Sequence, residues 1–307
     1  MSLDADLLTD RRRLKRRLSL WRLLAIVAVL GVIGLAAGGG ARIGMEATAG
    51  RAHVARLAIS GTIGEARREL QVLERARRDD NVRALILAID SPGGTMAGGE
   101  ALHAAIARFA ETKPVVATMG GVAASAGYMI AMPAQRVLAR ESTLTGSIGV
   151  LLQSMNVSDL LERFGIRPEV IASGPFKDQP SPFRPLTAEG RASLERLIAD
   201  LHSQFVHIVA AGRHMEEAQV RELADGRVFS GREAVGLGLV DAIGGEREAR
   251  AWLAAERGVP ESLPLRTIET RGRAERFFAD ASGWMMKTLF SEWLGVDVPR
   301  ALWQPFP

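Results

Sequence analysis

From residue 54 onward, apolar stretches alternate between strand-like runs and helical stripes, and this alternation predicts the architecture. VARLAISGTI (54–63) reads as a strand and EARRELQVLERARRDD (65–80) as an amphipathic helix. VRALILAID (82–90) is apolar almost throughout and ends in an acid, the pattern of a strand buried on both faces of a parallel sheet. A helical stretch (96–112), the strand VVATMG (115–120) and a short helix from about Ala124 follow. RVLAR (136–140), SIGVLL (147–152) and PEVIAS (168–173) read as further strands, and a long helix spans roughly 187–213. Such βαβ alternation predicts an α/β fold, with a parallel sheet covered by helices on both faces. After about Gly258 the pattern weakens. Residues 259–273 read as extended or irregular, and ERFFADASGWMMKTLFSEWLG (275–295) reads as an amphipathic helix. That helix either docks on the body or a neighbouring subunit, or lies on a membrane surface.

One apolar stretch fits neither period. LLAIVAVLGVIGLAAGGGA (23–41) carries no charge over nineteen residues and is bounded by Arg22 and Arg42. As a helix it is about 28 Å long at 1.5 Å per residue, close to a bilayer's hydrocarbon thickness. RRRLKRR (11–17), just before it, holds the N-terminus in the cytoplasm by the positive-inside rule. The alternative is a cleaved signal peptide, since small residues run up to Ala41; the length of the stretch favours an uncleaved anchor. Either way the body is exported. The resulting division is a basic cytoplasmic N-terminus (1–22), a transmembrane anchor (23–41), a spacer (42–53), an exported body (54–258) and a C-terminal extension (259–307).

Charge adds one exclusion. The pI near 10.0 suggests nucleic acid, but the first 22 residues hold seven basic and three acidic side chains, which accounts for the whole formal net charge of +4. The remaining body is neutral and holds one tyrosine, so it lacks the basic stripe and stacking aromatics of a nucleic-acid binder. Cysteine is absent and the five histidines show no ligand spacing, so neither a metal nor another cofactor is expected.

Candidate chemistry sits where α/β folds bind ligands, beyond the carboxyl ends of strands. DSPGGTMAGGE (90–100) follows the apolar strand; its paired glycines form either a tight turn or a backbone donor for a ligand. GGVAASAGYMIA (120–131) follows the next strand and places Ser125 where a helix begins. Ser125 is either a helix cap or a nucleophile whose oxyanion is bound by backbone N–H groups. A nucleophile needs a base, and no histidine is obvious: His202 and His207 lie within the long helix, His214 just past it, and His103 in another helical stretch. Only four of the 39 basic residues are lysines (15, 113, 177 and 287), and Lys177 sits among the non-ionic residues of ASGPFKDQPSPFRP. Arginine keeps its proton, whereas a desolvated lysine can lose it. A lysine serving as base near neutral pH needs a bias of roughly 4 kcal/mol toward its neutral form, within reach of burial. Asp178 would oppose this, but in an extended segment adjacent side chains point to opposite faces.

The chain resembles the signal peptide peptidase A (protease IV) family in its short bacterial form. DSPGG (90–94), the ASAGY around Ser125, SGPFKD with SPFRPLT (173–187) and DGRVFSGREAVGLGLVD (225–241) stand in the family's order and spacing, and the match runs from about Val54 to Gly245. DSPGG and the last segment alone are less specific, because ClpP proteases and crotonases carry similar stretches. The resemblance implies a ClpP/crotonase-like fold of repeated β-β-α units in a superhelix, attached to the N-terminal transmembrane helix. It implies a membrane-anchored serine endopeptidase of the bacterial plasma membrane, single-pass, with its catalytic domain outside the cytoplasm. Its substrates would be hydrophobic peptides, notably spent signal peptides. Ser125 would be the nucleophile, Lys177 the general base, and the amides of Gly94 and Ala126 the oxyanion hole. Position 123 is Ala, so this is not a GxSxG elbow, which the family does not require. A ClpP-like triad is disfavoured, since no histidine stands near Val150, where that family's would follow the serine. Short members resemble homo-oligomeric rings in which Ser and Lys reach a shared site from neighbouring chains. Two rivals remain: a crotonase-like acyl-CoA enzyme, which an exported position opposes, and a membrane scaffold that has lost the chemistry.

Overall fold

The computed structural model describes Trp21, Arg22 and residues 51–268. The predicted anchor (23–41) and C-terminal helix (275–295) lie outside the described residues. Among the described residues no helix is long and apolar enough to cross a membrane.

Residues 52–268 form an α/β unit. In chain order its elements are β1 (His53–Ser60), α1 (Arg67–Arg78), β2 (Val82–Ser91), α2 (Met96–Ala110), β3 (Val115–Ala124), α3 (Ala126–Met129), β4 (Arg136–Ala139), β5 (Leu144–Gly146), α4 (Ser158–Arg163), α5 (Ala188–Arg213), α6 (Glu217–Leu223), β6 (Val228–Ser230), α7 (Gly231–Gly236), β7 (Ala242–Ile243), α8 (Glu246–Arg257) and β8 (Leu265–Ile268). The eight-stranded sheet runs β6-β5-β3-β2-β1-β8, with β4 also beside β3 and β7 beside β4. All pairings are parallel except β5 with β6, so the sheet is mixed rather than wholly parallel.

The apolar run of β2 is explained by burial on both faces. Leu85, Leu87 and Ile89 join the larger core with Leu73 of α1, Ile106 and Phe109 of α2, and Phe205 and Val209 of α5. Ala84 and Ile86 point into a second core, closed by Ala249 and Leu253 of α8. The expectation of helices on both faces therefore holds. β8 falls in the stretch read as extended or irregular after Gly258, where it adds a strand parallel to β1.

β3 is longer than its apolar pattern suggests and changes neighbours partway. Residues 116–119 pair with β4 and 122–124 with β5. Against β2 the register slips between Ile89↔Met119 and Ser91↔Ala123, bulging the strand at Gly120–Gly121. The Asp90 carboxylate accepts the Val122 N–H at 3.0 Å and holds the bulge. The small residues of GGVAASAG thus thread a strand through this crossing, with Ala123 and Ala124 buried.

Two predicted strands do not form. SIGVLL is preceded by β5, and residues 147–157 have no regular structure; PEVIAS is likewise irregular. Leu151, Leu152, Val170 and Ile171 in these stretches are exposed. Their apolar pattern imitates strands, but no sheet edge receives them.

Candidate active site

The loop after β2 and the turn after β3 meet. Ser91 is buried and its hydroxyl accepts the Gly93 N–H at 3.1 Å. Ile63 brackets the next residue: its N–H donates to Gly93 O at 2.8 Å and its carbonyl accepts the Thr95 N–H at 2.9 Å. Between these bonds the Gly94 N–H has no partner among the described residues. A side chain at 94 would bring Cβ to 1.9 Å from Ile63 O, so only glycine lets the loop lie here. Gly93 has φ +117°, and a Cβ there would meet the Ser125 Cβ at 2.7 Å.

Ser125 occupies the N-cap of α3 with φ 54° and ψ −125°, a conformation that costs a non-glycine residue about 1–3 kcal/mol. Backbone bonds fix it there: its N–H donates to Gly146 O, and its carbonyl accepts from Tyr128 and Met129, each at 2.9 Å. Its side chain makes no capping bond, unlike Thr95, whose hydroxyl caps α2 through the Gly98 N–H. The cap reading of Ser125 is therefore excluded. Its hydroxyl is left free beside Gly93, and the adjoining Ala126 N–H has no partner among the described residues.

Gly94, Ser125 and Ala126 line one cavity of about 1020 Å³. Its walls are mostly apolar, with Met96, Met129, Val150, Leu151, Ile198 and Phe205 among them. Sequence reasoning missed these wall residues. Their signal was present, since Val150 and Leu151 belong to the misread strand and Ile198 and Phe205 lie seven apart on α5. His202 also lines the cavity, with Nε2 2.8 Å from Ala224 O. Among the described residues no cluster suited to a metal occurs.

Lys177 lies elsewhere. It is exposed, its N–H donates to Gly174 O at 3.2 Å in a turn, and it does not line the cavity. One chain brings together Ser125, Gly94 and Ala126 and leaves Lys177 apart. The segment is a turn rather than the extended run expected, so pleating does not separate Asp178 from Lys177. Asp178 is instead paired with Arg184. The contrast with Lys113 is instructive, because that lysine caps the carboxyl end of α1 by donating to Ala76 O at 3.1 Å.

The profile of Peptidase family S49 matches residues 107–260, and that of the Clp proteases matches residues 60–145. The chain belongs to peptidase family S49. A candidate protease of Synechocystis sp. is 41% identical over 225 residues, covering 72% of this chain and 81% of that one. A candidate signal peptide peptidase A of Enterococcus faecium is 32% identical over 228 residues (74% of this chain, 64% of that one). Protease 4 of Salmonella typhi is 36% identical over 170 residues (55% of this chain, 27% of that one). The signal peptide peptidase A resemblance is thereby shown, the fold is ClpP-like α/β, and the enzyme is a serine-type peptidase.

In this S49 peptidase the serine turn is tied through the core to the loop after α7. Tyr128, the single tyrosine, is fully buried three residues after Ser125 and donates to Leu239 O at 2.8 Å. Burial pushes its phenol far above the ordinary value, so it remains a donor. The loop it reaches is clamped by Arg213, which donates to Gly238 O at 2.9 Å and to Asp241 at 2.6 Å. Burial pushes the Asp241 carboxyl up, but Arg213 and the Val137 N–H outweigh it and hold the group below the usual carboxylate range. Tyr128→Phe keeps the packing and leaves a buried carbonyl unpaired. It is expected to lower stability by about 1–3 kcal/mol in chemical denaturation. Kinetics of the folded variant should show kcat reduced severalfold with KM unchanged.

Proposed function

We propose that this chain is a membrane-anchored serine endopeptidase that hydrolyses hydrophobic peptides, such as cleaved signal peptides, by a Ser–Lys dyad. The Ser125 hydroxyl attacks the scissile carbonyl carbon while its proton passes to the neutral Lys177 amine. The oxyanion accepts the N–H groups of Gly94 and Ala126, each donor of this kind being worth roughly 10²–10³ in kcat. The Lys177 ammonium then protonates the departing amine. In the second half-reaction Lys177 takes a proton from the water that attacks the acyl-enzyme and returns it to Ser125 Oγ as the ester bond breaks, regenerating the hydroxyl and the neutral amine. Every proton transfer in this scheme passes through the Lys177 amine.

One observation carries this reading: an uncapped serine hydroxyl on a strained turn, flanked by two unpaired backbone N–H groups in an apolar cavity. The cavity lining suits an apolar substrate side chain, and the name of the Enterococcus faecium relative points to signal peptides. Lys177 reaches the serine from a neighbouring copy in a homo-oligomeric ring. In support, large apolar residues lack cover in a single chain: Met155 is 73% exposed, Phe164 74% and Phe176, next to Lys177 in sequence, 51%. On α5 Leu197 is also exposed, at 49%. Uncharged residues 23–41 and the basic run before them support a plasma-membrane anchor with a cytoplasmic N-terminus and an exported catalytic domain.

The direct test is labelling with a fluorophosphonate followed by peptide mapping. The assembled protein should take up one label per chain, at Ser125. A label mapped to another serine, or none in a protein that cleaves peptides, would refute Ser125 as the nucleophile.

A further inference from the structure

Lys177 and Asp178 are adjacent in sequence within a turn, and a carboxylate on the residue next to the proposed base poses a chemical problem. Negative charge nearby stabilises the ammonium and so opposes the neutral amine the reaction needs. The structure meets this problem with a third residue. Arg184, six positions on, forms an ion pair with Asp178 Oδ2. That oxygen is buried and has no hydrogen bond of regular geometry, so the guanidinium meets it as a charge. Lys177 forms no ion pair with Asp178 or any other acid among the described residues.

The turn is built to hold this arrangement. Phe176 O accepts the Gln179 N–H at 3.3 Å, and the Gln179 side chain accepts the Thr187 N–H at 3.4 Å. Pro182 O accepts the Val157 N–H at 2.8 Å. The elements meeting the turn at these contacts carry other charges: Asp159, Glu162 and Arg163 on α4, and Glu189 and Arg191 on α5. Arg191 lies 4.0 Å from Glu195, and Asp159 accepts from Ser158. None of these groups forms an ion pair or hydrogen bond with Lys177 or Asp178 among the described residues.

We infer that Arg184 is a positioning residue for the general base: it holds and neutralises Asp178, so that this carboxylate does not keep Lys177 protonated. The inference rests on Lys177 being the base. The effect inferred for the Arg184–Asp178 pair is on the charge beside the amine.

The test is the pH profile of kcat/KM for the assembled enzyme on an apolar peptide substrate. In Arg184→Gln the freed carboxylate favours the ammonium. The acid limb should move up by about one pH unit, a roughly tenfold loss at a pH on that limb, with the alkaline plateau nearly retained. Arg184→Lys should restore most of the shift, because it keeps the charge. Adding Asp178→Asn to Arg184→Gln should return the limb to its wild-type position. An unmoved limb in Arg184→Gln, or an equal shift in the double variant, overturns the inference. If Arg184→Gln does not assemble, Asp178→Asn decides: a lowered limb, from the guanidinium left uncompensated, supports the inference, and an unmoved or raised limb overturns it. Failure of the underlying reading looks different, since a fully active Lys177→Ala enzyme would show that the limb belongs to another group.

Discussion

Lys177→Arg is expected to lower kcat for peptide hydrolysis by about a thousandfold or more, while the protein keeps its fold and assembly. The substitution preserves charge, length and most of the hydrogen-bonding capacity at an exposed turn, so packing has little reason to respond. Only the ability to accept a proton is lost. General-base catalysis contributes about 10²–10⁴-fold, and residues acting as a unit lose more than their separate shares when one is removed. The readouts are steady-state peptide hydrolysis and the rate of fluorophosphonate labelling at Ser125, with thermal unfolding and gel filtration as checks on folding and assembly. Labelling should slow with hydrolysis, because both require the same proton transfer. The competing base is His202, on the wall of the serine's own cavity, with Nε2 against Ala224 O. Should Lys177→Arg retain wild-type turnover, the lysine is dispensable and His202 becomes the group to pursue. A wild type that hydrolyses no peptide, together with a function unchanged in Lys177→Arg, would favour a scaffold.

Much of this site could be read from residue types, and the remainder had identifiable physical causes for being hidden. β2 was legible because burial on both faces leaves an unbroken apolar run, which few other structures produce. Ser125 was legible from what surrounds it, small residues forced by the strand crossing and by the approach of Gly93. Its left-handed φ was not legible, because that strain is imposed by long-range bonds such as Ser125 N–H to Gly146 O. SIGVLL and PEVIAS misled for a shared reason. Periodicity reports that side chains need cover without saying which chain supplies it, and Leu151, Val170 and Ile171 find none within their own. The short strands β5, β6 and β7 escaped notice because two or three residues establish no period. The Arg184–Asp178 pairing was hidden by the assumption of an extended segment, where the chain turns instead.

Mixing two inactive variants should regenerate activity. Ser125→Ala supplies chains with an intact lysine and Lys177→Ala supplies chains with an intact serine, and each alone should be nearly silent. In a ring where every site takes its serine from one chain and its lysine from the next, a site works when a Lys177→Ala chain meets a Ser125→Ala neighbour on the correct side. For random equimolar co-assembly that holds at about one site in four, so roughly a quarter of wild-type activity should return. The figure depends on the directionality of a cyclic interface, because each chain gives its lysine to one neighbour only. Two observations in the single chain motivate the experiment: Ser125, Gly94 and Ala126 share a cavity that Lys177 does not line, and Met155, Phe164 and Phe176 lack cover. The measurement uses chains co-expressed with two affinity tags, purified through both, and assayed with an apolar peptide. Fluorophosphonate should label the Lys177→Ala chains in these rings and spare the Ser125→Ala chains, which identifies whose serine reacts. Silence in rings verified to contain both chains would mean that serine and base belong to the same polypeptide. The segment carrying Lys177 would then have to fold back onto its own cavity, a rearrangement of residues 164–187 for which the turn around Asp178 and Arg184 gives no support.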